Sequence, residues 1–341
     1  MRDERWREEP GERMRILLWH VHGSWTTAFV QGRHDYIVPV TSDRGPYGLG
    51  RARTWQWPAS VVELPPAELA DAGIDLVLLQ RPEEFDLARR WLRRTPGVEL
   101  PAIYLEHNTP DAAPVSQRHP MAEQGAVPLV HVTHFNELYW DSGRAETVVI
   151  EHGVPDPGER YTGELARIGV VVNDPLRRGR VVGADLLARF TQAAPLDLFG
   201  MRVTDFVAEA GSDPDSLVAH EDLSTQDHMH SALARRRLYL HPMRWTSLGL
   251  SLIEAMMLGM PVVVLAGTEA VDVVEPSCGV ISTNVARLVD AARQYLAEPE
   301  AARLAGKAAR SMALQRFGVA RFLADWDRLL DRTVSGRSAA E

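Results

Sequence analysis

The sequence predicts an α/β protein of two tandem, doubly wound domains that face a central cleft. Three observations carry this. Short apolar runs end repeatedly in polar or glycine-containing loops, helix-period segments separate several of them, and a glycine- and proline-rich break is followed by a restart of the same pattern. With 341 residues, 45% of them hydrophobic, the chain is long enough for two domains of about 100 to 200 residues each.

In the first half the apolar runs are RILLW (15–19), IDLVLLQ (74–80), AIYLEH (102–107), PLVHVTH (128–134) and TVVIEHG (147–153). Their hydrophobicity is continuous rather than alternating, as in parallel strands covered on both faces. PEEFDLARRWLRR opens with proline and acids and closes with arginines, which suits the dipole of a helix. The break is HGVPDPGERYTGEL, and RIGVVVND restarts the pattern. Beyond it LDLFG, LYLHP and PVVVLAG read as strands, and ADLLARFTQ, SLGLSLIEAMMLG and VARLVDAARQYL as helices. The expected organisation is a leader over 1–13, a first domain over 14–153, a linker over 154–166 and a second domain over 167–315. A helix over 316–333 and a tail over 334–341 complete it. No internal repeat is visible.

A net charge of −9 argues against a general nucleic-acid binder, which needs an excess of cations to displace phosphate counterions. Lys307 is the single lysine, so an anion site here must use arginine, backbone amides or histidine. Cys278 is the single cysteine, which excludes an internal disulfide and a cysteine metal cluster. With neither a signal-like segment nor a long apolar run, a cytoplasmic protein is expected, with peripheral membrane contact still open.

The most informative stretch is LYLHPMRWTSLGLSLIEAMMLGMPVVVLAG, residues 238–267. A strand ends at His241, a helix opens near Ser247, and Gly259 with Pro261 closes it. Free amides of Ser247, Leu248, Gly249 and Leu250 at a sheet's carboxyl edge would make a cradle for a diphosphate. Glu254, about two turns on, would face the same way, where a carboxylate can accept hydrogen bonds from two vicinal hydroxyls. Periodicity alone favours a core helix with one polar residue.

The stretch resembles the donor-site motif of the family-4 retaining glycosyltransferases (glycosyl transferases group 1), written E-x-F-G-x-x-x-x-E-A-M-x-x-G-x-P-V. Leu248, Gly249, Glu254, Ala255, Met256, Gly259, Pro261 and Val262 fall in register. TVVIEHGVP resembles the V-I-x-N-G-V that leads into the family's second domain. RFGVARFLADWDRLLDR resembles the terminal helix that crosses back to the first. The resemblance implies the GT-B fold, two Rossmann-like domains, and transfer of a sugar from a nucleoside diphosphate sugar to an acceptor hydroxyl with retention. It implies neither a metal nor a further cofactor; the acceptor, whether small molecule, lipid or glycan, stays open.

Residue by residue, the resemblance places Arg178 and Gly179 at the family's Lys-Gly pair facing the donor diphosphate. Asn173 stands near the family's other cation, with Arg177 and Arg180 as alternatives. Thr246 replaces the family's first motif glutamate, which contacts donor-sugar hydroxyls. His107 resembles a histidine facing the donor sugar, although a strand-end histidine is as often a satisfied polar group. Glu106 is a candidate on the acceptor side, and Gly23 matches one glycine of the family's first loop. His131 with His134, and His228 with His230, lack a third ligand at recognised spacing. The absence of G-x-G-x-x-G and G-x-S-x-G weakens dehydrogenase and hydrolase readings. Thr246 and the missing cation keep two alternatives in view, a catalytically silent nucleotide-sugar-binding subunit and an epimerase of the same fold.

Overall fold

The structure, a computed structural model, describes residues 13–338 apart from residues 212, 222 and 224. The leader expected over 1–13 therefore lies, but for Arg13, outside the described residues. Two sheets form. The first contains β1 (Arg15–Leu18), β2 (Asp35–Pro39), β3 (Val61–Leu64), β4 (Leu76–Leu79), β5 (Ala102–Glu106), β6 (Leu129–His131) and β7 (Thr147–Val149), in the order β3-β2-β1-β4-β5-β6-β7. The second contains β8 (Leu165–Val171), β9 (Leu196–Phe199), β10 (Leu217–His220), β11 (Arg236–His241), β12 (Val262–Leu265) and β13 (Gly279–Ser282), in the order β10-β9-β8-β11-β12-β13. All neighbours within them run parallel.

Continuous apolar runs become central strands because successive side chains leave opposite faces of the sheet. Ile16 and Leu18 enter one core with Trp25 and Phe29, while Leu17 and Trp19 enter another with Val77 and Tyr104. In the second sheet Tyr239, Val262 and Val264 pack on Ile253 and Met256, while Leu238, Leu240 and Val263 pack on Phe190. Strand order reverses at β1/β4 and again at β8/β11. Each reversal opens a crevice at the carboxyl ends of its strands, where ligands of such sheets bind.

Several elements differ from expectation. The segment 184–192 is a 3-10 turn, Ala184–Leu186, followed by the helix Leu187–Phe190. Glycine 318 takes an extended conformation and separates two helices, Pro299–Phe317 and Val319–Ser338. The second covers most of the span expected for the terminal helix and continues into the expected tail as far as Ser338. Phe322, Trp326, Leu329 and Leu330 share one face of it and enter the first domain's core, where Trp326 packs edge-on against Trp25 and Phe29. The stretch after β7 is laid along the second domain: the Arg160 and Tyr161 amides donate to the Leu258 carbonyl at 3.1 and 3.0 Å. Among the described residues no helix is long and apolar enough to cross a membrane.

Candidate functional site

The two crevices face each other, and side chains meet across them. Ser24 Oγ donates to Glu254 Oε1 at 2.8 Å, and the Thr133 and Ser247 hydroxyls lie 2.8 Å apart. Trp245 Nε1 donates to the Pro110 carbonyl at 2.6 Å, and the Phe135 amide to Glu269 Oε2 at 2.8 Å.

On the second-domain side the helix is Leu250–Met257, with extended Gly249 as its cap. It opens later than expected, because Ser247 is committed elsewhere. Its hydroxyl meets Thr133 and its carbonyl accepts from the Glu269 amide, while Leu248 is buried in the core. These contacts engage the Ser247 hydroxyl and carbonyl and the Leu248 side chain, not the backbone amides expected to form the cradle. Close approach explains Gly249, since a Cβ there would stand 2.6 Å from His241 Cε1. Gly259, at φ 89°, stops the helix in a conformation that glycine adopts without cost. Glu254 is buried; besides Ser24 it accepts from Gln226 Nε2 at 2.9 Å and His230 Nε2 at 3.3 Å. Among the described residues no lysine or arginine pairs with this buried carboxylate, and burying it on three hydrogen bonds costs desolvation energy.

The arginine loop separates its three candidates. Arg177 is tied to Asp174, and Arg180 pairs with Asp185 at 2.8 Å. The half-buried Arg178 guanidinium has no hydrogen bond or ion pair among the described residues. Burial first, and then Arg177 beside it, pull its basicity below the usual guanidinium value, so an anion would relieve it. Gly179, at φ 45°, turns the chain just after it, and the Arg244 amide bonds the Val181 carbonyl at 2.9 Å, stitching this turn to the loop before Gly249. Asn173 does not stand in for a cation: its Oδ1 accepts from the Met201 amide at 2.9 Å and closes the loops after β8 and β9. Thr246 Oγ1 is buried with no hydrogen-bond partner among the described residues.

On the first-domain side Gly23 begins the helix Gly23–Phe29, and a Cβ on it would stand 3.2 Å from Trp55 Nε1. Gln80 donates from Nε2 to the Trp19 carbonyl at 2.8 Å, which turns its Oε1 toward His107 Nε2 at 3.0 Å. His107 therefore carries its proton on Nε2. Its ring lies 3.9 Å, centroid to centroid, from that of His22. Burial, with His22 and His152 nearby, holds His107 well below the usual imidazole range. Glu106 corrects an expectation. Its carboxylate is buried, accepting from His119 Nε2 at 3.0 Å and from the Asn108 amide at 2.6 Å, so it shapes the strand end instead of facing an acceptor. The paired histidines also separate: His131 Nε2 meets Ser142 Oγ at 3.3 Å, while exposed His134 lies 3.8 Å from Glu137, and His230 faces Glu254.

The buried neutral histidines give a pH dependence. Burial pushes His131 and His152 down to about 3 and His241 to about 4, from 6.5. Between those values the unfolded chain binds more protons than the folded one, so stability falls as pH falls. We expect the melting temperature to drop steeply from pH 6.5 toward pH 4.5, each imidazole contributing more than about 1 kcal/mol. A midpoint unchanged between pH 7 and pH 5 would contradict this.

Ser24, Gln226, His230, His22 and Trp245 escaped sequence reasoning as site residues. Gln226 and His230 are spaced to share a helix face, which was the one local signal; their partner Glu254 is set by packing.

Residues 215–312 match the family model of glycosyl transferases group 1, which contains the motif around Glu254. A search of curated proteins by sequence gave no match. Among solved structures the chain is similar to sucrose-phosphate synthase from Thermosynechococcus elongatus, with 16% identity, TM-score 0.68, and coverage of 95% of this chain and 100% of that one. It is also similar to HepE from Anabaena in complex with UDP and glucose, with 15% identity, TM-score 0.68, and coverage of 94% and 100%. A glycosyltransferase from Rickettsia africae gives 13% identity, TM-score 0.63, and coverage of 95% and 99%. The fold is GT-B, and the resemblance drawn from the motif to glycosyl transferases group 1 holds.

Proposed function

We propose that the chain is a retaining glycosyltransferase that moves a sugar from a nucleoside diphosphate sugar to an acceptor hydroxyl without a metal. One observation supports it above the rest: Arg178, a half-buried cation with no partner among the described residues, stands on a turn stitched to the loop that opens the Glu254 helix. In this reading the second domain, residues 167–315, holds the donor and the first, residues 14–153, presents the acceptor. Arg178 and the amides at Gly249 and Leu250 take the diphosphate, Glu254 takes the ribose, and Thr246 and His107 position the sugar. The anomeric carbon–oxygen bond breaks with its electron pair going to the diphosphate. The acceptor oxygen bonds on the same face and its proton passes to the departing phosphate oxygen. Positive charge and amide dipoles at that oxygen stabilise the transition state more than the ground state. HepE, complexed with UDP and glucose, supports this class of donor.

Asn173 and Thr246 favour one second reading, a silent subunit that binds nucleotide sugar without turnover. Incubation with a panel of nucleotide sugars and acceptors in EDTA, followed by NMR of the product, decides. We expect nucleoside diphosphate release and a product with the donor's anomeric configuration. Inversion, or a strict metal requirement, would contradict the mechanism, and binding without release would favour the silent subunit.

A further inference from the structure

Strand β4 lies between β1 and β5, so the residue that follows it, Gln80, stands between the ends of its two neighbours. Its side chain is buried and joins both. The Trp19 carbonyl, just past β1, can only accept a hydrogen bond, so the amide nitrogen of Gln80 faces it, at 2.8 Å. The amide oxygen is left for His107, just past β5, at 3.0 Å. That oxygen can only accept in its turn, so the His107 proton sits on Nε2 and Nδ1 keeps a lone pair. No described residue donates to that nitrogen. Gln80 is itself held in place. Glu84, buried in the first turn of the helix Glu83–Leu92, accepts its main-chain amide at 2.6 Å and Arg81 Nε at 2.7 Å.

The groups around the His107 ring keep it uncharged. Trp25 meets it edge-on from the helix Gly23–Phe29, His22 lies against it from the loop after β1, and His152 acts on it from the chain after β7. Burial first, and then both imidazoles, oppose a second proton on the ring, and Arg81 acts in the same sense on His22. The carboxylates of these strand ends are engaged elsewhere, Glu84 as above and Glu106 by His119 and the Asn108 amide.

We infer that Gln80 is a positioning residue: it locks His107 in the Nε2–H form, so that Nδ1 offers an uncharged acceptor to a hydroxyl of the transferred sugar. A sugar whose anomeric bond is breaking gathers positive charge, which a neutral imidazole tolerates and an imidazolium repels. The inference rests on the donor reading proposed above, in which His107 positions that sugar.

The test combines NMR of the histidine ring nitrogens of the full chain with the pH dependence of turnover. In wild type the His107 signals, identified by their loss in His107→Phe, should show a protonated Nε2 and an unprotonated Nδ1, and kcat should hold until well below pH 6.5. Gln80→Glu keeps an oxygen on Nε2 and, once ionised, favours the imidazolium, so the pH at which kcat falls should rise by about one unit or more. Gln80→Leu offers nothing to Nε2 and frees the ring to take either tautomer. It should lower kcat by about tenfold or more, with little change in KM and no rise in that pH. A structural role alone would lower activity without moving the acid limb. A wild-type His107 protonated on Nδ1, or a Gln80→Glu acid limb that overlays that of wild type, would overturn the inference while leaving the donor reading intact. The wild-type spectrum decides even should a variant fail to fold. Wild type inactive with every nucleotide sugar would sink the donor reading, and this inference with it.

Discussion

Arg178→Ala is expected to lower turnover by about a hundredfold or more, the scale seen when one preorganised charge-stabilising donor is removed, and to leave the melting temperature nearly unchanged. The two effects separate because Arg178 holds nothing together: its guanidinium makes no hydrogen bond or ion pair among the described residues. In the proposed mechanism charge on the departing diphosphate grows in the transition state, and only there would the cation be fully used. Arg178→Lys should recover part of the rate, keeping the charge and losing the bidentate fork. Arg177→Ala and Arg180→Ala are the controls, since Asp174 and Asp185 already engage those side chains. Full activity in Arg178→Ala with a large loss in Arg180→Ala would move the cation two residues along. Full activity in all three would make this loop a solvated basic surface.

Much of the fold was legible because buried parallel strands leave an unmistakable trace. RILLW, IDLVLLQ and PVVVLAG each supply side chains to both faces of a sheet, and no other element of that length needs so unbroken an apolar run. Short strands left a weaker one. SVVELPP became β3, an edge strand with an exposed Val62, and its four residues resemble any loop segment with two valines. The helix Pro299–Phe317 was not singled out because its buried face is mostly alanine and glycine, packed closely on the turn after Gly259. Small residues give little hydrophobic contrast for a periodic reading.

The site was legible where a motif fixes spacing and obscure where chemistry depends on a partner from elsewhere in the chain. Gly249 caps the helix, Glu254 lies within it and Gly259 ends it, the local structure the motif implied. Nothing local distinguishes Arg178 from Arg177 and Arg180; the difference is which aspartates the fold brings within reach. Glu106 misled for the same reason, because its partner His119 comes from a separate loop. Ser24 reaches Glu254 across 230 positions of sequence, and no periodicity carries that information.

The second large effect concerns Glu254. Hydrogen bonds to a charged group are worth about 1.5–3 kcal/mol each, so losing the two proposed to ribose hydroxyls should weaken nucleoside diphosphate binding by about a hundredfold or more. Glu254→Ala also removes the acceptor of Ser24, Gln226 and His230, at a cost to stability of about 1–3 kcal/mol for each donor left unsatisfied. Glu254→Gln keeps the shape and removes the charge, so it separates affinity from folding. The most direct test is thermal melting of wild type, Glu254→Gln and Glu254→Ala with each common nucleoside diphosphate at millimolar concentration. A ligand that binds only the folded chain raises its melting temperature by mass action. We predict that at least one nucleoside diphosphate raises the wild-type melting temperature and that both variants lose most of this rise. A wild-type melting curve unmoved by every nucleoside diphosphate would contradict the assignment of the donor site to this helix.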